Sequence, residues 1–566
     1  MFRKAAEVQI IRICNLALCA LTATGLAVSP AVASRGEGAS ALNRFVEARL
    51  AESSKELQAA AAIYRESLKE QPDNALLAGK AYVSAIEAGD FDLAAKAVRT
   101  LQLRNKADPE MPLLLYAEAF AQRDWNGADL AIVELEALKN FAFMQPFLEA
   151  WIATAKGRGA AAILSPKQDD TTAKYYLEEQ LILNRLANRQ EREAVGLLAG
   201  LVQRNEARMA PIRMIAARHF WAINDAVTAK EILKSRSSGP EQNLLEQIEA
   251  GQKKGAAQKV TASIGLAFLF QRLSNDLAAQ RAQFPSQVMA QAGGRIAGQS
   301  DYAYLTLGRA YAAAESHNLA VDEFARIGQD SPYYLVALSS EVASLVTDHK
   351  YDQAIARLDV ALKSSPDAPE LYILKGQSLQ ARGDNVAAAI AFESAIELGE
   401  KLQRPDMLMA SYWLALGGAR EQAGIWPAGL QALQKANELL PNSPTILNYL
   451  GYAQLERREN KEAAVAAIKQ AHDLRSTSPA ITDSLGWAYF ITGEHDRAVT
   501  FLESALEGEP KDPTINEHLG DAYWTVGRLY EARYAWKSAK LFAEGDDLQR
   551  LASKIDLGLQ PGLLSP

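Results

Sequence analysis

The second half of the chain carries one pattern at a period of 34 residues, and that period constrains the fold more than any other feature of the sequence. From Pro479 the residues run PAITDSLGWAYFITGEHDRAVTFLESALEGEPK, and from Pro513 they run PTINEHLGDAYWTVGRLYEARYAWKSAK. Leu485-Gly486 recurs as Leu519-Gly520, Tyr489 as Tyr523, Gly493 as Gly527, Ala498 as Ala532, Leu502 as Trp536 and Ala505 as Ala539. Apolar residues return at intervals of three and four on both sides of each turn glycine, which predicts two amphipathic helices per unit. A unit of this size cannot bury its apolar faces alone, so neighbours must stack into one continuous core.

The same frame extends backwards. Asp301 to Tyr334 carries Tyr304, Leu307-Gly308, Tyr311, Ala320, Phe324 and Pro332 on pattern. Leu335 to Ala368 keeps Ala354, Leu358, Ala361 and Pro366 but has Val342 where the small residue belongs. Pro369 to Leu402 supplies Tyr372, Gly376, Gly383, Ala388, Phe392 and Ala395. After a short insertion around Arg404-Pro405-Asp406, Ala410 to Ser443 supplies Trp413, Leu416-Gly417, Gly424, Leu433, Ala436 and Pro441. Pro444 to Ser478 has Leu450-Gly451, Ala464, Ile468 and Ala471, with one extra turn residue. Seven repeats are thus expected over 301–546, followed over 547–566 by a polar-faced capping helix and a tail.

The first half follows the same physics with a worn pattern. Pairs are expected where Phe45 to Leu68, Ala75 to Leu101, Leu113 to Leu138, Phe147 to Leu164, Tyr175 to Leu201 and Ile212 to Leu233 show helical periodicity, so that 41–235 reads as degenerate repeats. Breaks are expected at Ser165 to Thr172 and from Ser235 to Lys259; the second is read as a joint opening a degenerate helical segment over 236–300. The fold class expected is all-α. Gly at 35 and Pro at 21 agree, because a chain of many β-turns needs more of both.

On these residues the chain resembles the tetratricopeptide repeat family, in which a small residue at position 8 of each repeat lets two helices cross closely and an Ala at position 20 faces it. The resemblance implies a right-handed superhelical solenoid of antiparallel helix pairs whose concave side, lined by the first helix of each repeat, binds extended peptides or a partner's helix. The order Asn448-Tyr449-Leu450-Gly451-Tyr452, Asp483-Ser484-Leu485-Gly486-Trp487 and His518-Leu519-Gly520-Asp521-Ala522-Tyr523-Trp524 is similar to exported envelope repeat proteins of Gram-negative bacteria. That likeness implies a periplasmic interaction protein without a reaction of its own.

The positions of the first helix not used for packing, chiefly 2, 5, 9, 12 and 13, face the groove in this family. In the last three repeats they include Asn448, Tyr452, Leu455 and Glu456, then Asp483, Trp487, Phe490 and Ile491, then Glu517, Asp521 and Trp524. Four carboxylates and four large aromatics on one wall predict a protein or peptide partner with an extended, basic and apolar segment. The carboxylate clamp of this family needs Lys, Arg and Asn along the groove; Asp483, Glu517 and Asp521 stand there instead, which argues against that ligand.

Lys and Arg total 60 against 68 Asp and Glu, a formal net charge of -8 that supplies no basic surface for nucleic acid. The first residues read as a secretory signal over 1–33: Arg3, Lys4 and Arg12, an apolar run from Ile13 to Val28, and Ala31-Val32-Ala33 before Ser34. Cleavage is expected after Ala33, which removes Cys14 and Cys19, the two cysteines, and places the protein in the periplasm or cell envelope. No later segment is long and apolar enough to span a bilayer, so membrane association is expected only through a partner.

Gly-x-Ser-x-Gly, His-Glu-x-x-His and Gly-Lys-Ser/Thr are missing; Gly79-Lys80 lacks the phosphate-loop context, and Gly293-Gly294 falls in a stretch read as a loop. His219, His317, His349, His472, His495 and His518 are scattered without ligand spacing and read as solvated or capping, so no metal and no cofactor are expected. Asp90 with Asp92, and Glu494 with Asp496, read as starts of second helices, where acids favour the dipole. The expected function is a non-enzymatic scaffold or adaptor of the envelope; the alternative is an accessory subunit that recruits or regulates an envelope enzyme or polysaccharide-export machine.

Overall fold

The computed structural model describes residues 41–158, 164, 170–204, 207–234 and 239–565. The signal-like start and most of the break at 165–172 lie outside the described residues. Those described form an all-α helical repeat solenoid with no strand among them. No helix among them is long and apolar enough to cross a membrane. They divide into two compact units, 41–348 and 349–565.

The repeat frame is visible atom by atom in the glycines. A Cβ on Gly308 would meet the Phe324 ring, on Gly376 the Phe392 ring, on Gly417 Leu433, on Gly486 Leu502 and on Gly520 Trp536. Each partner lies 16 residues further on. At Gly451 the partner is Ile468, one residue later, which is where the sequence inserts its extra turn residue. The position-8 glycine is therefore met by the large residue at position 24, and at Gly451 also by the carbonyl of Ala464, the position-20 Ala displaced by the extra turn residue. Only a missing side chain lets the two helices approach this closely. The repeat with Val342 at this position is the one in which the chain divides between its two units.

Turn chemistry starts the second helices as expected in several pairs. Asp90 accepts from the Leu93 N–H at 3.1 Å, Asp124 from Gly127 at 3.1 Å, Asp225 from Thr228 at 3.0 Å and Asp384 from Ala387 at 3.3 Å. Each satisfies one of the N–H groups that a helix start leaves over. Glu494 precedes His495–Gly508 without a side-chain cap bond, and Asp496 stands in that helix's first turn.

The least regular part of the first unit packs across its helix pairs. Residues 262–297, in the segment expected to be degenerate and helical but with Gly293-Gly294 read as a loop, form a helical hairpin, Ala262–Ala279 and Gln283–Ala297, that lies against the helices of the earlier pairs. Gly265 packs under the Trp151 ring, Tyr116 stacks with Phe270 at 6.5 Å, and Tyr82 meets Phe284 edge-on at 5.6 Å. Gln291 donates to the Ile86 carbonyl at 2.6 Å, and the Tyr176 hydroxyl to Asp276 at 2.9 Å. Gly293 is helical, its Cβ side against Gln271 and Phe270, so the small residue serves a close helix crossing. In the first of the two helices the residues from Gly265 to Ser274 are buried without a break, which leaves it no exposed stripe to mark its periodicity.

The joint expected at 235–259 also packs. Gly239–Glu249 is a helix that buries Leu244 and Ile248, and its Glu241 pairs with the buried Arg213 at 2.8 Å. Arg218 then holds the carbonyls of Gly255 and Ala256 at 2.8 and 3.1 Å, and Trp221 holds that of Gln252 at 2.7 Å. Backbone carbonyls tied down by buried donors make this segment part of the core.

Candidate functional site

The residues expected to form a wall lie on helices Pro444–Glu456, Pro479–Ile491 and Pro513–Thr525 of the second unit, each opening on a proline at its first position. Proline there costs no hydrogen bond and presets the helical φ. Ser443 and Asp512 cap two of them, Asp512 on both Thr514 and Ile515 N–H at 2.9 and 3.0 Å.

The predicted wall residues come together, but most of their polar groups already have partners within the chain. Asn448 donates to Ser484 Oγ at 3.2 Å. Asp483 Oδ1 lies 2.9 Å from His518 Nδ1. Burial pushes the Asp483 carboxyl up, opposed by the adjacent imidazole. The His518 ring stacks on Trp487 at 4.0 Å, and Trp487 stacks in turn on Phe490 at 4.7 Å, giving a continuous three-ring pile. Tyr452, Trp487 and Phe490 are buried, and Leu455 with them; Glu456 and Ile491 are half-buried.

Glu517 and Asp521 meet the chain's own C-terminus. Helix Asp546–Leu557 brings Arg550, whose Nε and Nη2 each lie 2.8 Å from the two Glu517 oxygens, a bidentate fork. Its Lys554, fully buried, sits 2.8 Å from Glu517 Oε1 and 2.7 Å from both Asp521 oxygens. Asp521 also accepts from Trp536 Nε1 at 2.8 Å and from the Ser565 N–H and hydroxyl, both at 2.9 Å. Burial pushes the Glu517 carboxyl up, but Arg550 and Lys554 outweigh it and hold it below the usual carboxylate range. Trp524, half-buried, tilts on Trp536 at 5.5 Å and closes on Gly558, whose φ of 79° puts no side chain in the way.

This corrects the expectation of an open acidic wall: Asp483, Glu517 and Asp521 are paired inside the chain. Sequence reasoning missed His518, Arg550, Lys554 and Ser565. The signal for two of them was present, because carboxylates at 517 and 521 and cations at 550 and 554 share the i, i+4 spacing that puts both members of a pair on one helix face. His518 and His219 are buried rather than solvated.

A ladder follows from these contacts. Position 5 of one repeat meets position 6 of the next, as Asn448 with Ser484 and Asp483 with His518. At Glu517, where no further repeat follows, the capping helix supplies the partner.

Models of the tetratricopeptide repeat match residues 342–402 and 484–512. No curated protein matches the chain. Among solved structures, the APC/C hetero-tetramer Cut9–Hcn1 is 14% identical over 92% of this chain and 97% of that one, with a TM-score of 0.38. MamA protein is 24% identical over 35% of this chain and 98% of its own, at a TM-score of 0.25. TTC0263, a thermophilic repeat protein of this type in Thermus thermophilus, is 25% identical over 34% of this chain and 100% of its own, at 0.30.

Proposed function

We propose, from the premise that this is a tetratricopeptide repeat protein, that it is a non-enzymatic scaffold of the cell envelope, exported by its signal-like start. It holds a protein partner on the inner wall of the second unit. The observation that carries this reading is the chain's own C-terminal helix. Arg550, Lys554 and the buried Leu551 dock on that wall, which supports a preference for basic segments with apolar side chains. In the first unit the hairpin 262–297 lies against the earlier helices, so the second unit is the better candidate for an extended ligand.

Positions 12 and 13 carry the contact, since position 5 is engaged between repeats. Photoreactive residues at Glu456 and Ile491, both half-buried, test this in intact cells. The expected result is one discrete envelope protein, crosslinked through a Lys- or Arg-bearing apolar stretch. Capture only from sites in the first unit defeats the assignment of the surface. Fractionation with intact-mass measurement tests export separately: a periplasmic species beginning at Ser34 is expected, and a cytoplasmic species retaining Met1 to Ala33 overturns it.

A further inference from the structure

A second site lies in the first unit, away from the wall just described. A cleft of about 810 Å³ opens where inter-helix turns gather beside the start of helix Ala262–Ala279. That volume is in the range of small-molecule sites, roughly 300 to 1,000 Å³.

The cleft is built rather than incidental. The segment leading into the helix is pinned by Arg218 on the Gly255 and Ala256 carbonyls and by the Gln258 N–H on the Arg218 carbonyl at 3.1 Å. This delivers the Val260 N–H to His219 Nδ1 at 2.9 Å. An imidazole that accepts at Nδ1 carries its proton at Nε2, so His219 presents an N–H donor. The ring is 3% exposed and lines the cleft, and its Nε2 has no hydrogen-bond partner. The nearest carboxylate oxygen, of Glu191, stops 3.7 Å away, beyond hydrogen-bond reach.

Positive charge converges on the same place. Arg123, Arg189 and Lys259 line the cleft, and none has an ion-pair partner among the described residues. Glu191 is the one carboxylate lining it. Thr261 caps the helix through the Ile264 N–H, leaving the N–H groups of Ala262 and Ser263 without an intrahelical acceptor. Three unpaired cations, an unsatisfied buried donor and a helix start form an anion-binding constellation. Phe120, Trp125 and Ile223 supply an apolar wall, with Lys156 Nζ 5.6 Å from the Trp125 ring centre.

We propose that this cleft binds a small organic anion: a carboxylate or phosphate head group held by Arg123, Arg189, Lys259 and the His219 Nε2–H, with an apolar or aromatic body against Phe120 and Trp125.

Calorimetric titration of the full chain with phenylacetate, phenyl phosphate and the neutral phenylacetamide tests it. At least one anion is expected to bind at one site per chain while the amide does not, and which anion binds identifies the head group. Arg189→Gln and Lys259→Gln change exposed, unpaired side chains and leave packing intact, and each is expected to weaken that anion about 10-fold, the effect of one lost charge-assisted hydrogen bond. Equal binding of the amide, affinity unchanged in both variants, or no binding of either anion at millimolar concentration each overturns the proposal.

Discussion

Lys554 offers the most direct test of how the second unit is closed. Its ammonium is fully buried, within 2.8 Å of Glu517 and 2.7 Å of both Asp521 oxygens, and 3.0 Å from Ser565 Oγ. Lys554→Met keeps the volume of the stem and removes the charge. Glu517 retains its Arg550 fork, but Asp521 is left with the neutral donors Trp536 Nε1 and Ser565. Removing one partner of a buried ion pair costs about 3–5 kcal/mol. The surviving donors put this case near 3. Stability in a repeat array is roughly a sum of nearest-neighbour terms, so the loss should stay local to the capping helix and its neighbour. At about 1.4 kcal/mol per decade, amide protection over 546–557 is expected to fall about 100-fold in hydrogen-exchange mass spectrometry, with 369–439 unchanged. Because the pair is buried, about 0.5 M salt should not reproduce the effect. Protection of 546–557 within two-fold of the parent would refute the reasoning, as would an equal loss of protection across the whole second unit.

Other outcomes follow from the same contacts. Gly308→Ala forces a Cβ to 2.5 Å from the Phe324 ring and is expected to cost about 1–3 kcal/mol, read as a lower melting temperature of the first unit. Gly196→Ala, on an exposed helix position with nothing within 4 Å, should instead stabilise by about 0.5–1 kcal/mol; the same sign for both would undo the packing argument. Burial pushes the Glu179 carboxyl up to about 7 against the pull of Arg272 and Arg208. The folded chain therefore binds a proton there that the unfolded chain releases at ordinary carboxylate pH, so the contribution of this group is fully present at acid pH and is lost as pH rises through about 7. For this group the fall is on the order of 3 kcal/mol, measured as opening of helix Thr171–Ala187, and Glu179→Gln should flatten it; a pH-independent parent counts against the assignment.

The regular repeats were legible because the residues that set their geometry recur at a fixed period: Gly486 and Gly520 correspond, as do Leu502 and Trp536, the side chains that meet them. Turn acids were legible for the same local reason, as at Asp90. What escaped was non-local. Phe268, Leu269 and Phe270 are consecutive and all buried, so their helix shows no polar face, and only the surrounding pairs reveal it as an interior element. Spacing places Asp483 and Asp521 on one face of their helices. It does not say whether water, a partner or His518 and Lys554 will meet them.

The polar ladder explains why an acid-rich wall is compatible with a buried interior. Each of these position-5 groups meets the element that follows it along the stack: Ser484 at the Asn448 amide nitrogen, His518 at Asp483, Arg550 and Lys554 at Glu517. A buried carboxylate left without such a partner costs about 3–5 kcal/mol, so the acid at 517 and the cations at 550 and 554 are energetically coupled. The C-terminal helix is thus the last rung of the ladder as well as a cap, and its sequence is dictated by the repeat before it. By the same logic a partner is met by side chains that the stack leaves partly open. On this wall those include the half-buried Glu456 and Ile491, beside the Phe490, Trp487 and His518 pile.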